Sequence, residues 1–223
     1  MYPRDLLLAG YDGVVVDRAA IRSRCWAEAL AEIGFERDQR WLMTRFDGVS
    51  DRSVARSVTS ELGRALPTGF EDGLTARFKT GDERELRPVP GVEAALRRLG
   101  LPVCVVSGAN RAVTRHGLEV AGLWSRVTPH LFLAEEVEHG PPAGDLFQHA
   151  AAEMGVPASR CVVVEASVHG VRGGKAAGMT VFGFAGSSHV LADVQAGKLR
   201  AAGADIVFDR MAELPRLFSA RAA

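Results

Sequence analysis

The chain has 223 residues, with 27 Lys and Arg balanced by 27 Asp and Glu, so its formal net charge at pH 7 is zero. This balance argues against partners recognised by bulk charge, namely nucleic acid and acidic membranes. No apolar stretch approaches the length of a membrane span, and the N-terminus has no signal-like segment. Cys25, Cys104 and Cys161 are far apart, which predicts buried free thiols rather than a disulfide or zinc site. We therefore expect a cytoplasmic protein.

Short apolar runs alternate with amphipathic stretches along most of the chain, a pattern typical of a parallel sheet with helices on both faces. The predicted strands are Leu6–Ala9, Val103–Val106, Leu131–Leu133, Cys161–Glu165, Thr180–Phe184 and Ile206–Phe208. The predicted helices between and after them are Val92–Leu99, Arg111–Ala121, Asp145–Met154, Val168–Ala177, Leu191–Ala201 and Met211–Phe218.

Between the first and second predicted strands lies a long stretch with helical periodicity and no strand-like run. Its predicted helices are Ile21–Ile33, Arg52–Leu62 and Leu74–Phe78. We interpret residues 19–87 as a helical cap inserted after the first strand, and residues 1–18 with 88–223 as an α/β core. Ligands of such sheets bind at the carboxyl ends of the strands, so we expect a site there, beneath the cap.

The first strand leads into Gly10-Tyr11-Asp12-Gly13-Val14, which resembles motif I of the haloacid dehalogenase-like (HAD) hydrolases, Asp-x-Asp-Gly-Thr. The resemblance implies that the first Asp is a covalent nucleophile and that the second is a general acid/base. Asp12 and Gly13 match the second Asp and its Gly. Gly10 stands at the nucleophile position and has no side chain with which to attack phosphorus.

The resemblance extends over nearly the whole chain. Residues 103–108 are similar to motif II, which ends in a phosphate-binding Ser and corresponds here to Ser107 and Gly108. Residues 138–147 and 162–171 are similar to motifs III and IV. The chain is identified as a member of the subgroup similar to β-phosphoglucomutase and small sugar-phosphate phosphatases. This implies a Rossmann-like parallel-sheet core with a helical cap.

Three further positions depart from the family pattern. Pro141 replaces the motif III Lys that neutralises phosphate, Ala166 replaces the motif IV Asp that binds magnesium, and Val14 replaces the motif I Thr. Together with Gly10, these changes remove the nucleophile, a metal ligand and the cation that phosphoryl transfer uses. We therefore expect no catalytic residue of the family mechanism, no metal site and no cofactor, with the magnesium site lost.

Five positions keep features that suit ligand binding: Asp12, Gly13, Ser107, Gly108 and Glu165. Asp12 and Glu165 are the candidate catalytic remnants, and they could form an acid/base pair across the strand ends. The alternative for each is structural: Asp12 and Gly13 as a turn, Ser107 as a strand-to-helix connection, and Glu165 as the partner of a helix amide.

Arginines near the start of the predicted cap are candidates to grip phosphate in place of the missing Lys. They are Arg18, Arg22 and Arg24, with Arg45 and Arg52 further into the cap. Most of these side chains are expected to lie on a solvated helix face.

The functional hypothesis that follows is a pseudoenzyme. A catalytically degenerate phosphatase homologue would act as a binding or regulatory protein for a small phosphorylated or anionic metabolite, or for a protein partner. An alternative is a repurposed, metal-independent acid/base enzyme that uses the same cleft. A third hypothesis is a HAD-type phosphatase with an unusual mechanism.

Overall fold

A computed structural model describes residues 4–127, 130–188 and 192–219. Its centre is a six-stranded, fully parallel sheet with strand order β3-β2-β1-β4-β5-β6. The strands are β1 (Leu6–Gly10), β2 (Val103–Ser107), β3 (Leu131–Leu133), β4 (Cys161–Glu165), β5 (Thr180–Phe184) and β6 (Ile206–Phe208). The apolar runs predicted these six strands, with β1 and β2 each one residue longer than expected.

Strands β1 and β4 are buried at every position, because helices cover both faces of the sheet. Two apolar clusters, one on each face, divide the alternating side chains of β1: Leu7 and Ala9 belong to one, Leu6 and Leu8 to the other. In the parallel register, Ala9 lies opposite Val164, so β1 and β4 end side by side. This places Gly10 next to Glu165.

The helices of the sheet layers follow the predicted amphipathic stretches closely. They are α5 (Val92–Leu99), α6 (Arg111–Val120), α7 (Trp124–Val127), α8 (Asp145–Glu153), α9 (Val168–Ala176), α10 (Ala192–Ala201) and α11 (Leu214–Ser219). Leu191, where the fifth predicted helix begins, lies outside the described residues. The last predicted helix is divided, since Met211–Glu213 forms a 3₁₀ turn before α11.

Four helices lie between β1 and β2: α1 (Ala19–Glu32), α2 (Gln39–Phe46), α3 (Asp51–Leu62) and α4 (Phe70–Glu85). Helix α2 was not predicted. The chain leaves and re-enters the sheet layer at one place, since Asp17 N donates to Arg87 O over 3.0 Å and Val89 N donates to Val15 O over 3.0 Å. The division into a cap of residues 19–87 and a core of the remainder stays a prediction.

Helix α3 begins at Ser50, whose hydroxyl accepts from Ser53 N, and α9 begins at Ser167, whose hydroxyl accepts from Gly170 N. Both N-termini lie beside the strand ends. In the part of the chain that the structure describes, no helix is both long and apolar enough to cross a membrane.

Candidate active site

A cavity of about 480 Å³ opens at the carboxyl ends of the strands, between them and helices α1–α3. This volume is in the range of sites for small metabolites. All five predicted ligand-binding positions line it: Asp12, Gly13, Ser107, Gly108 and Glu165. The topology explains why, because Asp12 follows β1, Ser107 ends β2 and Glu165 ends β4.

Asp12 sits in the tight turn after β1, where Gly13 has φ of 78° and its N–H donates to Val16 O over 2.7 Å. Residue 13 must be Gly for two reasons. Side chains disfavour this positive φ, and an added Cβ would lie 2.8 Å from the Cβ of Ala166. The Asp12 side chain is 31% exposed, and its Oδ1 lies 3.9 Å from Nη1 of the fully buried Arg18. A neighbouring guanidinium favours the charged form of a carboxyl group.

Ser107 and Gly108 form the wall of the cavity at the end of β2. The Ser107 hydroxyl accepts from Ala109 N over 3.1 Å and lies 3.0 Å from the Thr114 hydroxyl. These contacts fix the start of the turn into α6. A Cβ on Gly108 would lie 3.3 Å from the Cα of Ser50, so the absence of a side chain allows the start of α3 to approach β2.

Glu165 lies deeper in the cavity, with 9% of the residue exposed. Its carboxylate accepts from the Ser167 hydroxyl over 3.3 Å. Burial raises the pKa of Glu165 to about 8, against a smaller lowering by hydrogen bonds from Ser167 and Ala166. Within the described part of the chain no cation is a main influence on this pKa, and Asp47, on the loop before α3, raises it further.

The positions that depart from the family pattern are also near the cavity. Pro141 and Ala166 line it, whereas Val14 is buried in the sheet layer. Gly10 lies directly beneath the Glu165 carboxylate, because a Cβ on Gly10 would meet Oε1 at 2.7 Å and Oε2 at 3.2 Å.

Several lining residues were not predicted, among them the polar or turn-forming Arg40, Asp47, Gly48, Gln195 and Lys198. Gly48 has φ of 70° and allows its loop to pass over Ser167, whose Oγ would lie 2.1 Å from an added Cβ. The Asp-Gly pair is a turn signal that could have indicated this loop, whereas Lys198 enters the cavity only through the packing of α10.

Most of the candidate phosphate-binding arginines are engaged elsewhere. Arg18 is buried against Asp82, Arg24 pairs with Glu85 and Arg45 pairs with Glu61, away from the cavity lining. Arg52 donates to the backbone of Glu135. Arg22 lines the cavity but also pairs with Asp51 at 2.8 Å.

The acidic side chains lining the cavity, Asp12, Asp47 and Glu165, provide oxygen donors, and neither His nor Cys is among its described lining residues. Magnesium prefers oxygen ligands and is usually held by one or two carboxylates together with substrate phosphate. Within the described residues, no three His, Cys, Asp or Glu side chains are placed to hold a metal on their own. The donor set thus fits magnesium bound together with a phosphate, with a main-chain oxygen at Asp12 as the protein ligand, which leaves the Asp12 side chain for proton transfer.

The raised pKa of Glu165 predicts a pH-dependent loss of stability. Because the folded form holds its proton up to about pH 8 and the ordinary value is 4.5, the unfolded chain binds fewer protons between these values. The stability contributed by this group is full below about pH 4.5 and falls as pH rises to about 8. We expect Glu165→Gln to gain stability over wild type across this window, measured by urea unfolding, with exposed Glu138→Gln as control. If the difference in unfolding free energy between Glu165→Gln and wild type did not change with pH, the raised pKa of Glu165 would be contradicted.

The chain is similar in sequence to proteins that are named as phosphatases. The chain is 29% identical over 211 residues to a 6-phosphogluconate phosphatase of Escherichia coli, covering 94% of this chain and 92% of the relative. It is 28% identical over 179 residues to a fructose-1-phosphate phosphatase of E. coli, covering 78% and 92%. A HAD family hydrolase of Deinococcus radiodurans, solved with phosphate and sodium, is 32% identical, with a TM-score of 0.71 and coverage of 96% and 94%.

These relatives overturn two predictions. The pseudoenzyme hypothesis is wrong, because the full-length relatives are named as phosphatases and none of the comparisons supports a regulatory role or a protein partner. Its physical weakness was to equate a missing side chain at Gly10 with a missing carboxylate, although the Glu165 carboxylate lies there. The expectation of a lost magnesium site and no cofactor is also wrong, because the chain matches hydrolases and phosphatases of a magnesium-dependent family. Magnesium shared with a phosphate does not need a second Asp at position 166.

The predicted resemblance and fold class are confirmed. The family model of the haloacid dehalogenase-like hydrolases matches residues 11–178, which is most of the chain. The six-stranded parallel sheet flanked by helices agrees with the solved structures of that family. The chain therefore belongs to the haloacid dehalogenase-like hydrolases.

Proposed function

We propose that this protein is a phosphatase that hydrolyses small sugar or sugar-acid monophosphates. The observation that carries the proposal is the cavity itself, where Asp12, Ser107, Gly108 and Glu165 converge at the strand ends under a wall of helices. The substrate class follows from the relatives, which are named for 6-phosphogluconate and fructose 1-phosphate. We also infer a cytoplasmic location, which the buried free thiols favour.

The substrate phosphate would lie against the ends of β1 and β2. The turn at Gly13 and the Ser107-Gly108 segment expose backbone to the cavity, as anion-binding turns do. Arg40 and Lys198 line the cavity and make no ion pair with other described residues. They are the cations available to balance phosphate charge in the place of the Lys that Pro141 replaces.

Asp12 would transfer the proton in the reaction, giving it to the sugar oxygen as the bond to phosphorus breaks and later taking one from water. Arg18 holds this carboxylate from behind, since its Nη1 lies 3.9 Å from Asp12 Oδ1 in the buried layer. A magnesium ion held by the phosphate and by a main-chain oxygen at Asp12 would supply positive charge to the phosphoryl oxygens.

Helices α1–α3 would select the sugar. Trp26, Leu42, Met43 and Phe46 give the helical wall an apolar surface, and Thr44 and Gln39 add polar groups. Trp26 and Phe46 are also core residues, 2% and 5% exposed, so this wall is rigid at those positions.

The experiment is phosphate release from a panel of hexose, hexitol and sugar-acid monophosphates, with nucleotides and aryl phosphates for comparison. We expect saturable release from at least one sugar phosphate and weaker release from the bulkier nucleotides. Folded protein that releases phosphate from none of them would refute the proposal. A preference for nucleotides would refute the substrate class.

The cationic wall predicts a specific effect on binding. Lys198→Met is expected to raise KM for the preferred sugar phosphate by roughly ten-fold, because a charge-assisted contact to phosphate is lost. The half-buried Lys79 of α4, outside the cavity, gives the control Lys79→Met. Equal KM values for both variants would show that Lys198 does not contact the substrate phosphate.

A further inference from the structure

The Glu165 side chain occupies a slot between two glycines. A Cβ on Gly10, at the end of β1, would lie 2.7 Å from Oε1 and 2.9 Å from the carboxyl carbon. A Cβ on Gly170, in the first turn of α9, would lie 2.2 Å from the same carbon. Any side chain at either position would displace the carboxylate. The Glu165 carboxylate therefore fits only because glycine stands on both sides of it.

This slot is at the floor of the cavity. Glu165 lines the same cavity as Asp12, Ser107 and Gly108. The neighbouring ends of β1 and β4 bring the Glu165 carboxylate in front of Gly10, the position at which the first strand ends. A carboxylate is thus present at the end of β1, although it is carried by β4.

Hydrogen bonds fix the position of the Glu165 carboxylate but do not neutralise its charge. Glu165 is 9% exposed, and its carboxylate accepts hydrogen bonds from Ser167 and Ala166. No ion pair joins it to a cation among the residues that the structure describes. Burying a carboxyl group without a cation destabilises the fold. Strongly perturbed carboxyl groups in a cleft are concentrated at functional sites.

We propose that Glu165 is the nucleophile of the phosphatase reaction, acting from β4 in place of the side chain that Gly10 lacks. This inference rests on the proposed function. Glu165 first releases its proton to water. An oxygen of the Glu165 carboxylate then forms a bond to phosphorus while the bond from phosphorus to the sugar oxygen breaks, and Asp12 gives its proton to that sugar oxygen. Water then attacks the phosphorus of the glutamyl phosphate and gives a proton to Asp12. Inorganic phosphate leaves and the Glu165 carboxylate is restored.

The first test traps the covalent intermediate. The full-length protein is quenched in acid during turnover of its sugar phosphate, with and without hydroxylamine, and its peptides are analysed by mass spectrometry. We expect a phosphoryl group on Glu165 that hydroxylamine converts to a hydroxamate. Glu165→Gln should lose the label and lower phosphate release by at least about 10³-fold, whereas Glu138→Gln, with an exposed side chain, should keep both. Phosphate release with no label on Glu165 would overturn the proposal and leave the phosphatase function standing.

The second test does not depend on the substrate. Beryllium fluoride forms a phosphate-like adduct with reactive carboxylates, and its ¹⁹F NMR signals report the adduct directly. We expect bound signals with wild type and with Glu138→Gln, and none with Glu165→Gln or with Gly10→Ala, whose added methyl group displaces the carboxylate. If no phosphoester is hydrolysed, the proposed function fails, and this measurement still decides on Glu165. Absence of an adduct in wild type, or its survival in a folded Glu165→Gln variant, would overturn the inference.

Discussion

Asp12→Asn is expected to lower kcat/KM for the preferred sugar phosphate by roughly 10²–10⁴-fold, the range typical of losing one general acid/base. The amide has almost the shape of the carboxylate but does not exchange the proton that the sugar oxygen needs. Because Asp12 is about a third exposed and reaches the cavity, the substitution should change turnover more than folding.

The control for this prediction is Asp72→Asn on α4, an exposed acid outside the cavity lining. It carries the same substitution and should keep wild-type kinetics. Steady-state phosphate release by both variants, at matched folded fraction measured by circular dichroism, decides the result. An Asp12→Asn enzyme as active as the control would remove Asp12 from proton transfer.

Asp82→Asn is expected to destabilise the fold by about 3–5 kcal/mol, the cost of removing one partner from a buried ion pair. Arg18 and Asp82 are both fully buried, and Arg18 Nε donates to the two Asp82 oxygens over 2.9 and 3.1 Å. The guanidinium also stacks 4.4 Å from the centre of the Phe78 ring. Without Asp82, its positive charge would stay in the protein interior, with Asp12 at 3.9 Å and Asp51 as the remaining nearby carboxylates.

Denaturant unfolding of three variants tests this account. The double variant Arg18→Met with Asp82→Leu removes both charges and should be more stable than Asp82→Asn, because apolar groups replace a costly pair. Glu85→Gln breaks the exposed pair with Arg24 and should leave the unfolding midpoint nearly unchanged. An Asp82→Asn protein as stable as wild type would contradict the burial of this pair.

The sheet was predictable from the sequence because its strands are buried on both faces. Runs such as Leu6–Ala9 and Cys161–Glu165 are continuously apolar up to the residue that enters the site, and this pattern belongs to parallel strands. Helix α2 was missed because Gln39–Phe46 mixes aromatic and charged residues, and its stability comes from packing on α1.

The site was predictable in its positions but not in its chemistry. The resemblance to motifs I, II and IV indicated Asp12, Ser107 and Glu165, and the rule that parallel strands direct their carboxyl ends to one edge placed them together. The position of Glu165 at Gly10 could not be predicted, because a sequence shows which side chain is absent from a position and not which neighbour fills the space. The approach of Glu165 to Gly10 depends on the register of β1 with β4, and the approach of Lys198 depends on how α10 packs.

The central claim, that this cavity hydrolyses a small phosphate monoester, is tested most directly by phosphate release from the sugar phosphate panel in magnesium and in EDTA. The account predicts saturable release by wild type that magnesium supports, EDTA suppresses and Asp12→Asn nearly abolishes. Folded protein that releases no phosphate under either condition would contradict it, as would release that Asp12→Asn leaves unchanged.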